Sequence, residues 1–188
     1  METIFIGGSR AISRLDSLIT ERLDNIIVQE FNIIIGDANG ADKAIQAYLS
    51  KKNYQHVVVY CSGDHPRNNL GKWSVNSVKS DIAIGVTGRN YYMIKDAKMA
   101  GDCSLGFMLW DCKSSGSLNN ILNIVKTNRK CLVYLSLSKS FITFESIEKV
   151  KSFVGKFDQL LIDEFDKKIN YKQRIHSKKE IEQISIDI

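Results

Sequence analysis

Three short segments carry residues whose types suit the binding of a small charged molecule. Gly7-Gly8-Ser9-Arg10 places two glycines, which let backbone amides approach a ligand closely, beside an arginine whose fork matches phosphate or carboxylate. Gly36-Asp37-Ala38-Asn39-Gly40-Ala41-Asp42 mixes small residues with two carboxylates. Lys113-Ser114-Ser115-Gly116-Ser117 sets a cation and hydroxyl side chains at what reads as a helix start. Free amides and the positive end of the helix dipole favour phosphate there. Each segment alone also fits an ordinary cap or turn; the three together are a more specific signal. Neither G-x-G-x-x-G nor G-x-x-x-x-G-K-[ST] occurs, which disfavours a standard dinucleotide dehydrogenase and a P-loop NTPase.

Strands alternating with helices must position these segments. Thr3-Ile4-Phe5-Ile6 is an apolar run ended by Gly7-Gly8, after which Leu15, Leu18, Ile19, Leu23, Ile26 and Ile27 recur at near-helical spacing. Ile33-Ile34-Ile35 leads into the second segment and then a helical stretch with Ala44, Ile45, Tyr48 and Leu49. Val57-Val58-Val59-Tyr60 is a third strand, 62 to 88 is irregular, and a helix is expected over about 90 to 101. Leu105 to Trp110 is the fourth strand, preceding the Lys113 segment. A helix with Leu118, Ile121, Leu122 and Val125 then leads to the fifth, Cys131 to Leu135.

Continuously apolar strands belong to sheets covered by helices on both faces. Right-handed crossovers then give an α/β fold, a doubly wound and mostly parallel five-stranded Rossmann-like sheet. Ligands of such sheets bind beyond the carboxyl ends of the strands, where strand order reverses, and all three segments fall on that edge. After residue 140, Ile147, Val150, Val154, Phe157, Leu161 and Phe165 mark one amphipathic helix over about 143 to 169. The expected division is a nucleotide-binding Rossmann-like domain, 1–140, and a C-terminal helical extension with a polar tail, 141–188.

The 188 residues are 44% hydrophobic and 25% charged, which excludes a disordered tail, a collagen-like fibre and a coiled coil. No window approaches roughly 20 consecutive apolar residues, so no membrane partner is expected. The start, Met-Glu-Thr-Ile-Phe, lacks a basic region followed by an apolar stretch, and a cytoplasmic location is expected. The net charge of +5 is compatible with a phosphorylated ligand or a weak nucleic-acid contact. Part of it is the basic C-terminal run of Lys167, Lys168, Lys172, Arg174, Lys178 and Lys179. Four cysteines, Cys61, Cys103, Cys112 and Cys131, and three scattered histidines form no ligand spacing, so neither a metal nor a cofactor is expected.

The strand-GGSR start, the GDANGAD loop and the strand-WDCKSSGSLNNI segment resemble the SLOG superfamily of Rossmann-like proteins, and most of all its YspA-like branch. The superfamily also holds the DNA-processing protein DprA, the molybdenum-cofactor carriers and the LOG phosphoribohydrolases. The resemblance covers about residues 3 to 136. It implies a nucleotide-type ligand with Gly7, Gly8, Ser9 and Arg10 as one wall, and Gly36, Asp37, Gly40 and Asp42 as the second. Gly116 and Ser117 match the GT of the LOG-type PGGxGTxxE motif and by that likeness hold phosphate. Arg89, Lys95 and Met99 resemble the basic-then-Met helix that LOG proteins place before this strand. The glutamate of GTxxE falls on Asn120, which cannot act as a carboxylate base. Many proteins of the superfamily are dimers, and the resemblance implies a homodimer.

Two functions of different class follow. One is a module that binds or senses a nucleotide-derived molecule without cleaving it. The alternative is a nucleoside-monophosphate N-glycosidase or deoxyribosyltransferase-like enzyme, with Asp111 or Asp42 as the carboxylate near the ribose. A third reading, single-stranded DNA binding in the manner of DprA, rests on the basic tail and fold analogy. Arg67-Asn68-Asn69 belongs to a loop expected to close over a base, with Trp73 or Trp110 as a stacking surface.

Overall fold

The computed structural model describes residues 2–78 and 89–176, without the side chains of 89–91. In chain order the elements are β1 (Thr3–Gly8), α1 (Ser17–Val28), β2 (Asn32–Gly36), α2 (Ala41–Lys51), β3 (Val57–Cys61), β4 (Ser74–Ser77) and α3 (Arg89–Asp102). They continue as β5 (Leu105–Trp110), α4 (Ser115–Lys126), β6 (Cys131–Leu135), β7 (Ser140–Phe144), α5 (Ile147–Val154), α6 (Gln159–Ile169) and α7 (Tyr171–Ile175). One seven-stranded sheet runs β4-β3-β2-β1-β5-β6-β7. All pairings are parallel except β6 with β7.

The apolar runs become central strands because both of their faces meet helices. Ile4, Ile6, Ile33, Ile35, Phe107 and Leu109 pack with Ile19, Leu23 and Ile26 of α1 and Ile45 and Leu49 of α2. On the other face Phe5, Ile34, Met108 and Trp110 meet Leu118, Ile121, Leu122 and Val125 of α4 and the C-terminal helices. Each such side chain contributes about 1.5–3 kcal/mol relative to exposure, which fixes both helical layers to the sheet. This is the α/β, doubly wound, mostly parallel arrangement expected from the sequence, with a C-terminal helical extension.

Two strands exceed the expected five. β4, Ser-Val-Asn-Ser, has no apolar run and pairs as an edge through its backbone, Val58 beside Ser74 to Cys61 beside Ser77. β7 lies where the amphipathic helix was expected to begin, and returns antiparallel along β6 with Cys131 opposite Phe144. The rest of that expected helix is two helices. Gly155 ends α5, and Asp158 caps α6 by accepting the Leu160 N–H at 2.8 Å. Val150 and Val154 of α5, and Phe165 and Ile169 of α6, are all buried against the sheet side. No helix among the described residues is long and apolar enough to cross a membrane.

β1 lies between β2 and β5, and the order of strands reverses there. Gly7 pairs with Met108 and Gly8 with Leu109, so the loops after β1 and β5 leave the sheet side by side.

Candidate functional site

The two loops are tied together by one buried serine. Ser9 is fully buried; its N–H donates to the Leu109 carbonyl at 2.8 Å and its Oγ donates to Asp111 Oδ1 at 2.9 Å. The Asp111 N–H donates back to Ser9 Oγ at 3.2 Å, and Ser117 Oγ lies 3.0 Å from the same atom. Asp111 Oδ1 also accepts the N–H groups of Lys113 at 3.0 Å and Ser114 at 2.8 Å. Cys112 sits in the left-handed region at φ 60, which turns those amides back toward the carboxylate. Ser114 then caps α4 by accepting the Ser117 N–H at 3.3 Å, so the first turn, Ser115-Gly116-Ser117, opens at the sheet edge.

A second cluster forms where β2 ends. Asp37 Oδ2 accepts the Arg67 backbone N–H at 3.1 Å and Nε at 2.9 Å. Its Oδ1 accepts the second guanidinium arm at 2.7 Å and Lys95 Nζ at 3.3 Å. Burial opposes the charge on Asp37, but Arg67 and Lys95 outweigh it and hold the carboxyl at about 2 against an ordinary 3.8. The Arg67 guanidinium lies 5.1 Å above the Tyr92 ring.

Asp42, on the first turn of α2, accepts the Ala38 N–H at 3.2 Å. Burial pushes it up to about 6, with Lys95 pulling the other way. Asp96 is driven to about 6 by the same cause, with Lys95 3.9 Å away. Gly36 makes this packing possible. A Cβ there would lie 2.4 Å from Asp42 Oδ2 and 3.2 Å from Lys95 Nζ. Gly40, at φ +82, lets the second loop touch the first, since a side chain would meet the Arg10 carbonyl oxygen at 2.2 Å.

Both clusters border one cleft of about 560 Å³. Of the residues singled out in the sequence, Gly8, Arg10, Gly36, Asp42, Lys95 and Asp111 line it, as do Lys113, Ser114, Ser115, Gly116, Ser117 and Asn120. Met99 lines it too, although its side chain is fully buried. Gly7, Ser9, Asp37 and Gly40 form the layer behind, shaping the wall without facing the cleft. The Arg89 side chain lies outside the described residues.

Trp110 corrects an expectation. It is fully buried, with its ring 5.9 Å from Phe157, 6.2 Å from Phe153 and 6.4 Å from Phe165, and cannot stack on a ligand. Its Nε1 donates to the Ser114 carbonyl at 3.1 Å, holding the start of α4 from behind. Trp73 is likewise buried and donates to the Tyr54 carbonyl at 2.8 Å. The loop carrying Arg67 is also not free to close. Asn68 donates to the Asp37 carbonyl at 2.8 Å, and Asn69 bridges the Trp73 N–H and carbonyl at 3.0 and 2.8 Å.

Sequence reasoning missed Asp96, the Arg67–Asp37 pairing, and Asn119, Lys168 and Ile169 on the cleft wall. Arg67 was visible as a polar cluster, but nothing local indicates a partner thirty residues away. Among the described residues no group of three or more His, Cys, Asp or Glu is placed to hold a metal ion. The lining of the cleft is thus chemically mixed. It combines the first turn of α4, Arg10 and Lys113 with Asp42 and Asp96 around Lys95. Comparison of the chain with known protein families, with curated proteins and with solved structures returns no match.

Proposed function

We propose that the protein binds a nucleotide or nucleotide-derived small molecule in this cleft and acts as a binding or sensing module. The observation that carries the reading is the first turn of α4 opening at the reversal point of the sheet, with Arg10 and Lys113 bordering the same cleft. Helix amides and two cations suit a phosphate. The cleft volume is in the range of small-molecule sites, roughly 300–1,000 Å³. The segments that resemble the SLOG superfamily fall on this edge, which agrees with a ligand of that class. Asn120, where the LOG-type motif has its glutamate, borders the cleft without a carboxylate, and this favours retention over cleavage.

An N-glycosidase remains the second reading, and a specific observation supports it. Asp42 is a buried cleft carboxyl raised to about 6, the range in which a carboxyl exchanges protons near neutral pH. Asp111 is the poorer candidate, since its Oδ1 already takes three donors from its own loop and Ser9.

Mass spectrometry of small molecules released from the purified, denatured protein tests both readings, repeated after incubation with a nucleoside-monophosphate panel. An intact nucleotide supports binding, whereas free base accumulating with time and lost in D42N supports the hydrolase. Arg10 is exposed, so R10A should weaken nucleotide binding about fivefold or more while stability stays within about 0.5 kcal/mol. Unchanged affinity in R10A, measured by calorimetry, would remove Arg10 and its anion-binding role from the reading.

A further inference from the structure

The C-terminal extension docks on α4 through an arginine that has no acidic partner among the described residues. Arg174 of α7 donates one guanidinium arm to Asn119 Oδ1 and the other to Asn123 Oδ1, each at 2.6 Å. These asparagines lie one turn apart on α4, the helix whose first turn opens into the cleft. No carboxylate among the described residues shares this guanidinium, and burial alone lowers its affinity for its proton.

A guanidinium has only donors, so it can meet only the oxygen of an amide. That settles the orientation of Asn119, which is otherwise ambiguous for such a side chain. With Oδ1 held by Arg174, its NH2 must turn away, and Nδ2 donates to Asn120 Oδ1 at 3.4 Å. Asn119 is 1% exposed, so it cannot reverse toward solvent. The Asn120 oxygen being turned toward Asn119, its own NH2 is turned away from Asn119, on a side chain that lines the cleft.

We propose that Arg174 is a positioning residue of the cleft, polarising Asn119 and Asn120 so that position 120 offers N–H donors to an oxygen-rich ligand group such as phosphate. This rests on the nucleotide reading for its ligand. The relay makes position 120 a donor, the opposite of a carboxylate there, and it makes the extension a working part of the site.

The test uses the full chain, adenosine 5′-monophosphate as probe, and three variants: N119D, N123D and R174A. N119D keeps an acceptor for Arg174 but removes the donor to Asn120. It should preserve the melting temperature and weaken binding about fivefold, the worth of one hydrogen bond. N123D adds the same charge against the same arginine one turn further from the cleft and should change affinity less than about twofold. Equal losses in N119D and N123D would assign the effect to charge and overturn the relay. A second arm needs no ligand. Side-chain amide exchange by nuclear magnetic resonance should find the Asn119 NH2 protected in the wild type and exposed in R174A. Unaltered exchange overturns the relay, whereas failure of the wild type to bind any nucleotide overturns only the nucleotide reading.

Discussion

Replacing Asp37 by asparagine tests the electrostatic frame behind the cleft. The wild-type side chain is 4% exposed and takes four donors, three from Arg67 and one from Lys95. Asparagine keeps one acceptor oxygen and sets an NH2 where the other stood, so half of these donors face another donor. The Arg67 side chain is 40% exposed and recovers water, while the Lys95 side chain, at 5%, does not. Breaking a fully buried pair costs about 3–5 kcal/mol, and the partial hydration of Arg67 brings D37N to about 2–4 kcal/mol.

Part of this loss must depend on pH. The folded carboxyl titrates at about 2 and the unfolded one at 3.8, which is worth about 2 kcal/mol. A depressed carboxylate stabilises above its unfolded value and loses that contribution as pH falls through its folded value. The gap between wild type and D37N, read from urea denaturation, should therefore be constant from pH 7 to 5. By pH 3 it should narrow by about 1 kcal/mol. A gap that is flat down to pH 3, or below about 0.5 kcal/mol throughout, would refute the ion-pair account of the Arg67 loop.

Asp42 has the opposite sign. Its folded value of about 6 lies above its ordinary 3.8, so its contribution is complete below the ordinary value and is lost as pH rises through 6. D42N should remove up to about 3 kcal/mol of the stability lost between pH 4 and 8; identical pH profiles for the two proteins would contradict it. G40A places a side chain at φ +82 against the Arg10 carbonyl and should cost about 3 kcal/mol or more in chemical denaturation. A melt within about 1 kcal/mol of wild type would show that the two loops do not touch there.

The five central strands were legible because runs such as Ile33-Ile34-Ile35 and Val57-Val58-Val59 are apolar on both faces, as a doubly covered sheet requires. β4 was illegible for the complementary reason: at the edge, Ser-Val-Asn-Ser needs only backbone hydrogen bonds. The split between α5 and α6 escaped because both halves keep helical spacing, and the break lies in the single turn between Gly155 and Asp158. Glycine and serine segments marked the cleft, since close approach demands small residues locally. The stacking role expected of Trp110 failed because Phe153, Phe157 and Phe165 reach it from a different part of the chain. Arg67 with Asp37, and Arg174 with Asn119, are pairings across 30 and 55 residues, and no local pattern encodes them.

The seam between β1 and β5 also governs how the site comes into being. The first four strands hold together through neighbours close in sequence, whereas β1 receives β5 only after about a hundred intervening residues have been made. Ser9 finds Leu109, Asp111 and Ser117 at that late step alone. Such a long closure is a slow event in folding. During synthesis the N-terminal half can collapse early, yet it cannot capture a ligand until the second half docks. A ligand held in this cleft would therefore require β1 and β5 to have docked, and its binding energy would act on that long-range closure instead of on one loop.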